Sequence, residues 1–310
     1  MNLRTLLALT LFAGLATPTI ADEVKPLRVL VVAGGCCHDY ANQKEILKKG
    51  IEARLNAKVE MAYDATKGTK PVFEIYKKDG WYKDFDVVVH DECAADITDP
   101  TYVENILKAH REGVPAVNLH CAMHSYRWGK FQQPVKPGDD NSHWFEMLGL
   151  QSTGHGPQQP IAIKFTDKEH PITKGMADWT TVNEELYNNV QVLTGKGLAN
   201  GTQTSPERKD KAGKVVPAKE TTAMVAWTNE YGPKKTRIFS TTIGHNNATV
   251  EDARYLDMVA RAVLWSVNKI DANGKLTEAT TKLAALEEET ARLKADMKGF
   301  DNPSPNYRAR

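Results

Sequence analysis

Long apolar runs are scarce in this 310-residue chain. The main one, Leu6 to Ala16, is too short to span a bilayer, and no later stretch is longer. An excess of charge of either sign is also missing. Lysine and arginine number 40 against 39 acids, and residues 1–21 contain one base, Arg4, and no acid. Without that segment the signs balance, which leaves no electrostatic footprint for nucleic acid or an anionic membrane and favours a small neutral partner. Cysteine is sparse: four residues do not make a disulfide scaffold in a chain of this length. Nucleotide fingerprints are absent as well. Gly34-Gly35 completes neither G-x-G-x-x-G nor G-x-x-x-x-G-K-[ST], so no nucleotide is expected, and the pair more simply permits a tight turn.

The amino terminus has three parts: Arg4, the apolar run, and small residues up to Ala21. That order predicts a secretory signal over residues 1–21 and an exported protein, periplasmic or extracellular, with no membrane attachment after cleavage. No cysteine stands at the cleavage point to carry a lipid anchor.

From Lys25 on, the pattern alternates. Lys25–Ala33 is a short β-branched apolar run suited to a strand buried on both faces. Ile46, Leu47, Ile51 and Leu55 then follow helical spacing. Further strands are predicted over 58–63, 85–90 and 115–120. Between the last two, Asp99-Pro100 caps and starts a helix that reaches Arg111. Short strands over 160–165, 224–227 and 237–242 and a helix over 251–268 complete the series. Strands alternating with helices predict one α/β domain over 26–270, built on a doubly wound, mostly parallel, flavodoxin-like sheet with helices on both faces. The stretch between His120 and Met224 reads as loop-rich, a lid or wall over the site. Residues 271–310 read as an amphipathic helix (Leu276, Ala279, Leu283, Leu286, Leu293, Met297) with an extended tail. It is expected to pack on its own domain, with homodimerisation as the alternative.

Ligands of open α/β sheets bind beyond the carboxyl ends of the strands. Four predicted strand ends carry imidazole or carboxylate there: His38-Asp39, His90-Asp91-Glu92, His120 with His124, and His245-Asn246. His110 and His170 are expected to be structural, and His143 and His155 stay undecided. Cys121 follows a strand directly, but a nucleophile elbow needs small residues two positions either side. Cys121 has Leu119 and Met123 there, whereas His120 has Asn118 and Ala122, which suit a tight turn better. Cys36 and Cys37 are vicinal, and a ring closed between neighbours is strained. A bridge from one of them to Cys93 or Cys121 stays open, Cys93 being on the expected neighbouring strand.

Five segments in order carry a family resemblance: GGCCHDY, NLHCA, HPITKGM, NEELY and TTIGHN. Together they resemble the ThuA-like, trehalose-utilisation family from about Leu27 to Trp265. Leu148–Leu150 departs from that family's glycine pair, and Glu184 stands where Asp is common. The resemblance implies a class I glutamine amidotransferase-like fold without the Cys-His-Glu triad. It also implies a role around trehalose, other disaccharides or their 3-keto derivatives.

On this reading the chain is an enzyme acting on a disaccharide or 3-keto-glycoside by hydrolysis, elimination or hydration. Imidazole, with an ordinary pKa of ~6.5, serves as acid or base near neutrality. His120 is expected as base or ligand, His38 with Asp39 as ligand and orienting partner, and His245 as a further catalytic group. Glu185, Tyr187, His124, Trp128, Asn246 and Asp91 are the expected substrate contacts. A divalent cation, zinc first, is the candidate cofactor, with His38, His120, His245 and Glu185 as ligands. The alternatives are a non-catalytic sugar-binding protein, in which Trp81, Tyr82, Trp128 and Trp144 stack on sugar rings, and a Cys121 acyl-transfer enzyme.

Overall fold

The structure is a computed structural model and describes residues 25–209 and 212–271. The expected signal and the expected C-terminal helix lie outside the described residues. In chain order the elements are β1 (Leu27–Gly35), α1 (Tyr40–Arg54), β2 (Ala57–Asp64), β3 (Val87–Cys93), α2 (Pro100–Arg111), β4 (Ala116–Leu119) and α3 (His143–Leu148). Next come β5 (Leu150–Gln151), β6 (His155–Phe165), β7 (Trp179–Tyr187), β8 (Gln191–Val192) and β9 (Lys196–Ser205). The series closes with β10 (Arg208–Lys209), β11 (Val215–Val216), β12 (Lys219–Tyr231), β13 (Thr236–Thr241), α4 (Asn247–Val250) and α5 (Ala253–Ser266).

Nine strands join in the order β2-β1-β3-β4-β13-β12-β9-β6-β7. The first five are parallel to one another, and the remaining pairings are antiparallel. β1 lies between β2 and β3 and is covered on both faces, so it has no polar side and reads as a continuous apolar run. Val29 and Val31 enter one core with Leu47 and Ile51 of α1 and Val259 and Val263 of α5. Leu30 and Val32 enter a second core with Val103, Ile106 and Leu107 of α2 and with Trp144. An α/β sheet with helices on both faces is thus what the sequence predicts.

The region from 121 to 223 differs from its loop-rich reading. It supplies β6, β7 and β9, which extend the sheet on the β12 side. Their sequences, such as KGLANGTQTS, are rich in Gly, Asn, Thr and Gln, and so lack the apolar alternation that marks a strand. This antiparallel half curls back over the strand ends. The last residue of β7, Tyr187, reaches His120, which follows β4 in the middle of the sheet.

Gly34 and Gly35 end β1 with φ of 145° and 104°. A Cβ on Gly34 would lie 2.4 Å from the Asp64 carbonyl oxygen, and one on Gly35 would lie 2.2 Å from that of Cys93. The pair therefore lets the chain pass between the ends of β2 and β3. It serves a close backbone approach.

Candidate active site

Three segments after three parallel strands meet beyond the carboxyl edge. His38 comes from the loop after β1, His120 from the turn after β4, and His245 from the loop after β13. Ring centroids are 4.6 Å apart for His38–His120, 4.7 Å for His38–His245 and 5.5 Å for His120–His245. β7 adds Glu185, whose Oε2 lies 3.6 Å from His120 Nε2 and 3.4 Å from His245 Nδ1. These are the four residues the sequence nominated as a ligand set.

Each is held by the fold. His120 has φ of 39°, the left-handed region, and begins a 3₁₀ turn. Its Nδ1 lies 2.6 Å from the Thr242 carbonyl, which can only accept, so the proton sits on Nδ1 and Nε2 keeps its lone pair. The Tyr187 hydroxyl donates to that Nε2 at 3.2 Å. His245 is fixed through its backbone: Gln43 donates to its carbonyl at 3.0 Å, and its N–H donates to Glu184 Oε2 at 3.1 Å. Glu184 also accepts from the Asn246 N–H at 3.3 Å. Gln158 donates to His245 Nε2 at 2.9 Å and to Glu185 Oε1 at 3.3 Å.

Charge follows from these contacts. Burial, with His120 and His245 next to it, pushes His38 down to about 2, so its ring is neutral. Burial pushes the Glu185 carboxyl up, but the neighbouring imidazoles of His120 and His245 outweigh it and hold the group well below the usual range. The hydrogen bond to Glu185 raises His245 above an ordinary imidazole. Burial raises the Tyr187 phenol far above its usual value, so it stays a donor.

The remaining nominated residues divide. His124 is buried, stacks on Tyr187 with centroids 4.0 Å apart, and meets Ser152 Oγ at 2.9 Å, which places it behind the site. Asn246 lines the cleft beside His38 and His245, and its amide donates to the Asn183 carbonyl. Asp39 lines the same cleft, but it does not orient His38. Its Oδ2 accepts from Asn42 at 2.6 Å and Asn247 at 2.7 Å, tying α1 to α4. Those bonds hold its carboxyl low.

Asp91 is not at a strand end. β3 runs on to Cys93, so His90, Asp91 and Glu92 lie inside the strand, at most 4% exposed. Burial, with Glu92 and Cys93 beside it, lifts the Asp91 carboxyl far above its usual value and keeps it neutral. Trp128 also faces elsewhere: it packs against the second core and donates to Asp140 Oδ2 at 2.7 Å. Trp81, Tyr82 and Trp144 are buried in that same core. None of the four aromatics nominated for sugar stacking lines the cleft at the histidine cluster; they pack in or against the second core. Cys121, buried close to Cys93, is held as a thiol far from the thiolate a nucleophile requires. Cys36 is joined to Cys37, not to Cys93, and Cys93 and Cys121 are free. A φ of 82° at Cys37 bends the chain within the pair.

Sequence reasoning missed Gln43, Glu184 and Gln158 and left His155 undecided. Gln43 carried a usable signal: with Leu47 and Ile51 it continues one helical face at four-residue steps, and it is 1% exposed. His155 lies with Nδ1 3.6 Å from Glu185 Oε1.

The open cleft beside the cluster has a volume of about 700 Å³ and is lined by His38, Asp39, Asn183, His245, Asn246 and their neighbours. That size suits a small-molecule site. The three imidazoles also fit a metal. Their donor atoms lie within 4.8 Å of one another, a spread one ion with bonds of ~2.0–2.1 Å can gather by small rotations. His38 Nδ1 is buried with no hydrogen-bond partner among the described residues, an atom that a ligand would satisfy. The Thr242 carbonyl on His120 Nδ1 is the outer partner that fixes a ligating imidazole.

Fold and site together define an α/β protein whose polar centre lies at the carboxyl edge of a mixed sheet. The chain belongs to the ThuA family, described as trehalose utilisation, which matches residues 28–266. Its relation to sugar metabolism follows from that membership. Among solved structures, a thua-like protein from Parabacteroides merdae is similar at 19% identity and a TM-score of 0.54. The match covers 83% of this chain and 94% of that one. A second thua-like protein, from Bacteroides uniformis, is similar at 14% identity and a TM-score of 0.51, over 83% of this chain and 98% of that one. At these identities the likeness concerns the fold. No curated protein matches the chain in sequence.

Proposed function

We propose that this chain is an exported enzyme acting on a disaccharide or 3-keto-glycoside at the site formed by His38, His120, His245 and Glu185. The convergence of three imidazoles and one ionised carboxylate, from four separate segments beside an open cleft, carries this reading. A ketone at C3 acidifies the C2 proton, so elimination or hydration across C1–C2 needs a placed base and a placed acid. His120 suits the base: anchored through Nδ1–H, it accepts a proton at Nε2 without losing its orientation. His245 suits the acid, because Glu185 raises its proton affinity. Tyr187 and Asn246 supply polar contacts. Alternatively His38, His120 and His245, with Glu185 as an oxygen ligand, would hold a divalent ion, zinc first, which when bound would polarise the ketone oxygen; His120 Nε2 would then be a ligand in place of the base.

The test is turnover of a 3-keto-glycoside by purified protein, paired with elemental analysis. His120→Ala is expected to abolish turnover, and unchanged turnover would overturn the assignment. Stoichiometric metal that disappears in His38→Ala supports the metal-assisted form, and active protein without metal supports acid–base chemistry alone. Sugar binding by calorimetry with no product by mass spectrometry would favour a binding protein. Export is tested by sequencing the amino terminus of the secreted chain, which is expected to begin at Asp22.

A further inference from the structure

The mechanism leaves four sulfurs unused, all in one place. Gly35 is level with Cys93 across the β1–β3 pairing, and the absence of a Cβ there lets the chain after β1 lie directly against the end of β3. Cys36 and Cys37 are bonded to each other, and Cys93 Sγ lies 3.4 Å from Cys36 Sγ. All three sulfurs are within 4.8 Å of one another. Their exposure is graded: Cys93 is buried, Cys36 half-buried, and Cys37 exposed at the rim of the cleft. Cys121, also buried, is close enough to Cys93 to shift its thiol.

We propose that Cys36, Cys37 and Cys93 form a thiol–disulfide exchange site that delivers a free Cys37 thiol to the cleft rim, where it reacts with small disulfides and thiol-directed electrophiles. The Cys93 sulfur attacks Cys36 Sγ, a Cys36–Cys93 bond forms, and the Cys36–Cys37 bond breaks. Cys37 leaves with the electron pair and takes up the proton that Cys93 gave up. No net oxidation occurs, so the step needs no external oxidant or reductant. Cys36 Sγ is the sulfur in contact with Cys93, so attack falls there once rotation of the Cys93 side chain brings its sulfur into line with the Cys36–Cys37 bond. Cys37 is the outward-facing leaving group, the arrangement that exposes a reactive sulfur only after exchange. The Cys37 thiol would then attack a small disulfide, such as that of a γ-glutamyl-cysteinyl peptide: its S–S bond breaks, one half bonds to Cys37, one residue from His38, and the other leaves as a thiol with the Cys37 proton. This inference does not rest on the proposed sugar chemistry.

Iodoacetamide on the native, non-reduced protein tests it, followed by unfolding in excess N-ethylmaleimide and tryptic digestion. The expected product is peptide 29–44 disulfide-linked to peptide 84–108, with the acetamide group on Cys37. In Cys93→Ser and Cys93→Ala, peptide 29–44 is expected to keep its internal bond and carry no label. Two wild-type results would overturn the proposal whatever the variants do. One is an intact Cys36–Cys37 bond with Cys93 recovered as a thiol or labelled itself. The other is Cys36 and Cys37 both alkylated with no disulfide.

Discussion

His90 Nε2 lies 3.0 Å from His110 Nε2, and both rings are fully buried between β3 and α2. His110 Nδ1–H donates to the Val114 carbonyl at 2.7 Å, so its Nε2 must accept, and the His90 Nε2–H donates. That leaves His90 Nδ1 facing Glu92 Oε1 at 2.8 Å with one proton between them. The Tyr126 hydroxyl donates to the same oxygen at 3.0 Å. Within a strand interior that looked like a catalytic H-D-E end, His90 and Glu92 belong to a buried structural network with His110 and Tyr126.

Burial, reinforced by His90, pushes His110 down to about 3. The sign follows from linkage: the unfolded chain, with histidine at ~6.5, takes up the proton first as pH falls. Stability from this group is complete above that value and is lost as pH drops toward 3. The expected slope is up to about 1.4 kcal/mol per pH unit within the window. Melting temperatures between pH 7.5 and 4.5 should fall, with a shallower fall in His110→Asn relative to its own value at pH 7.5.

Glu184 holds two backbone N–H groups of the His245 loop while itself 0% exposed. Glu184→Gln would set an amide N–H₂ against one of them. A cost of roughly 1–3 kcal/mol is expected in urea unfolding. Displacement of His245 should lower kcat for the proposed reaction more than it raises KM.

Gly35→Ala is expected to destabilise by about 3 kcal/mol or more, since its new Cβ meets a backbone carbonyl and the residue must keep a left-handed φ. Gly68→Ala is the control: nothing lies within 4 Å of its added Cβ. Denaturant midpoints compare the two directly.

Trp128→Phe should leave sugar affinity unchanged, measured by calorimetry, because Trp128 packs on the second core and bonds to Asp140. A large loss of affinity would mean that the sugar binds against Trp128, outside the cleft beside the histidines.

The parallel half was legible because β1 and α1 announce themselves by local pattern: an unbroken buried run and an apolar stripe. His38, His120 and His245 were legible for the same reason, as the rule for strand ends needs only the strands. Glu185 and Tyr187 came only through the family resemblance, since β7 reads WTTVNEELY and shows no regular alternation. Glu184 and Gln158 had no local mark. What they do depends on the curl of the antiparallel half, which is a long-range contact. Asp91 was misplaced because sequence gives the end of a strand only to within a few residues, and β3 continues past His90 to Cys93. Trp128 was misplaced because which side a loop tryptophan covers depends on long-range packing, here against the second core.

The curl of β7 over the strand ends has a kinetic consequence. Its partner in the sheet is β6, at the margin, while the residues it contacts at the site come from β4 and β13 near the middle. Such pairings close long loops and form late in folding. An edge strand also opens at lower free energy than the core. Native-state hydrogen exchange should find Glu185 and Tyr187 in a weaker cooperative unit than β1 and β3, so that the site can dissolve and re-form while the parallel half stays folded.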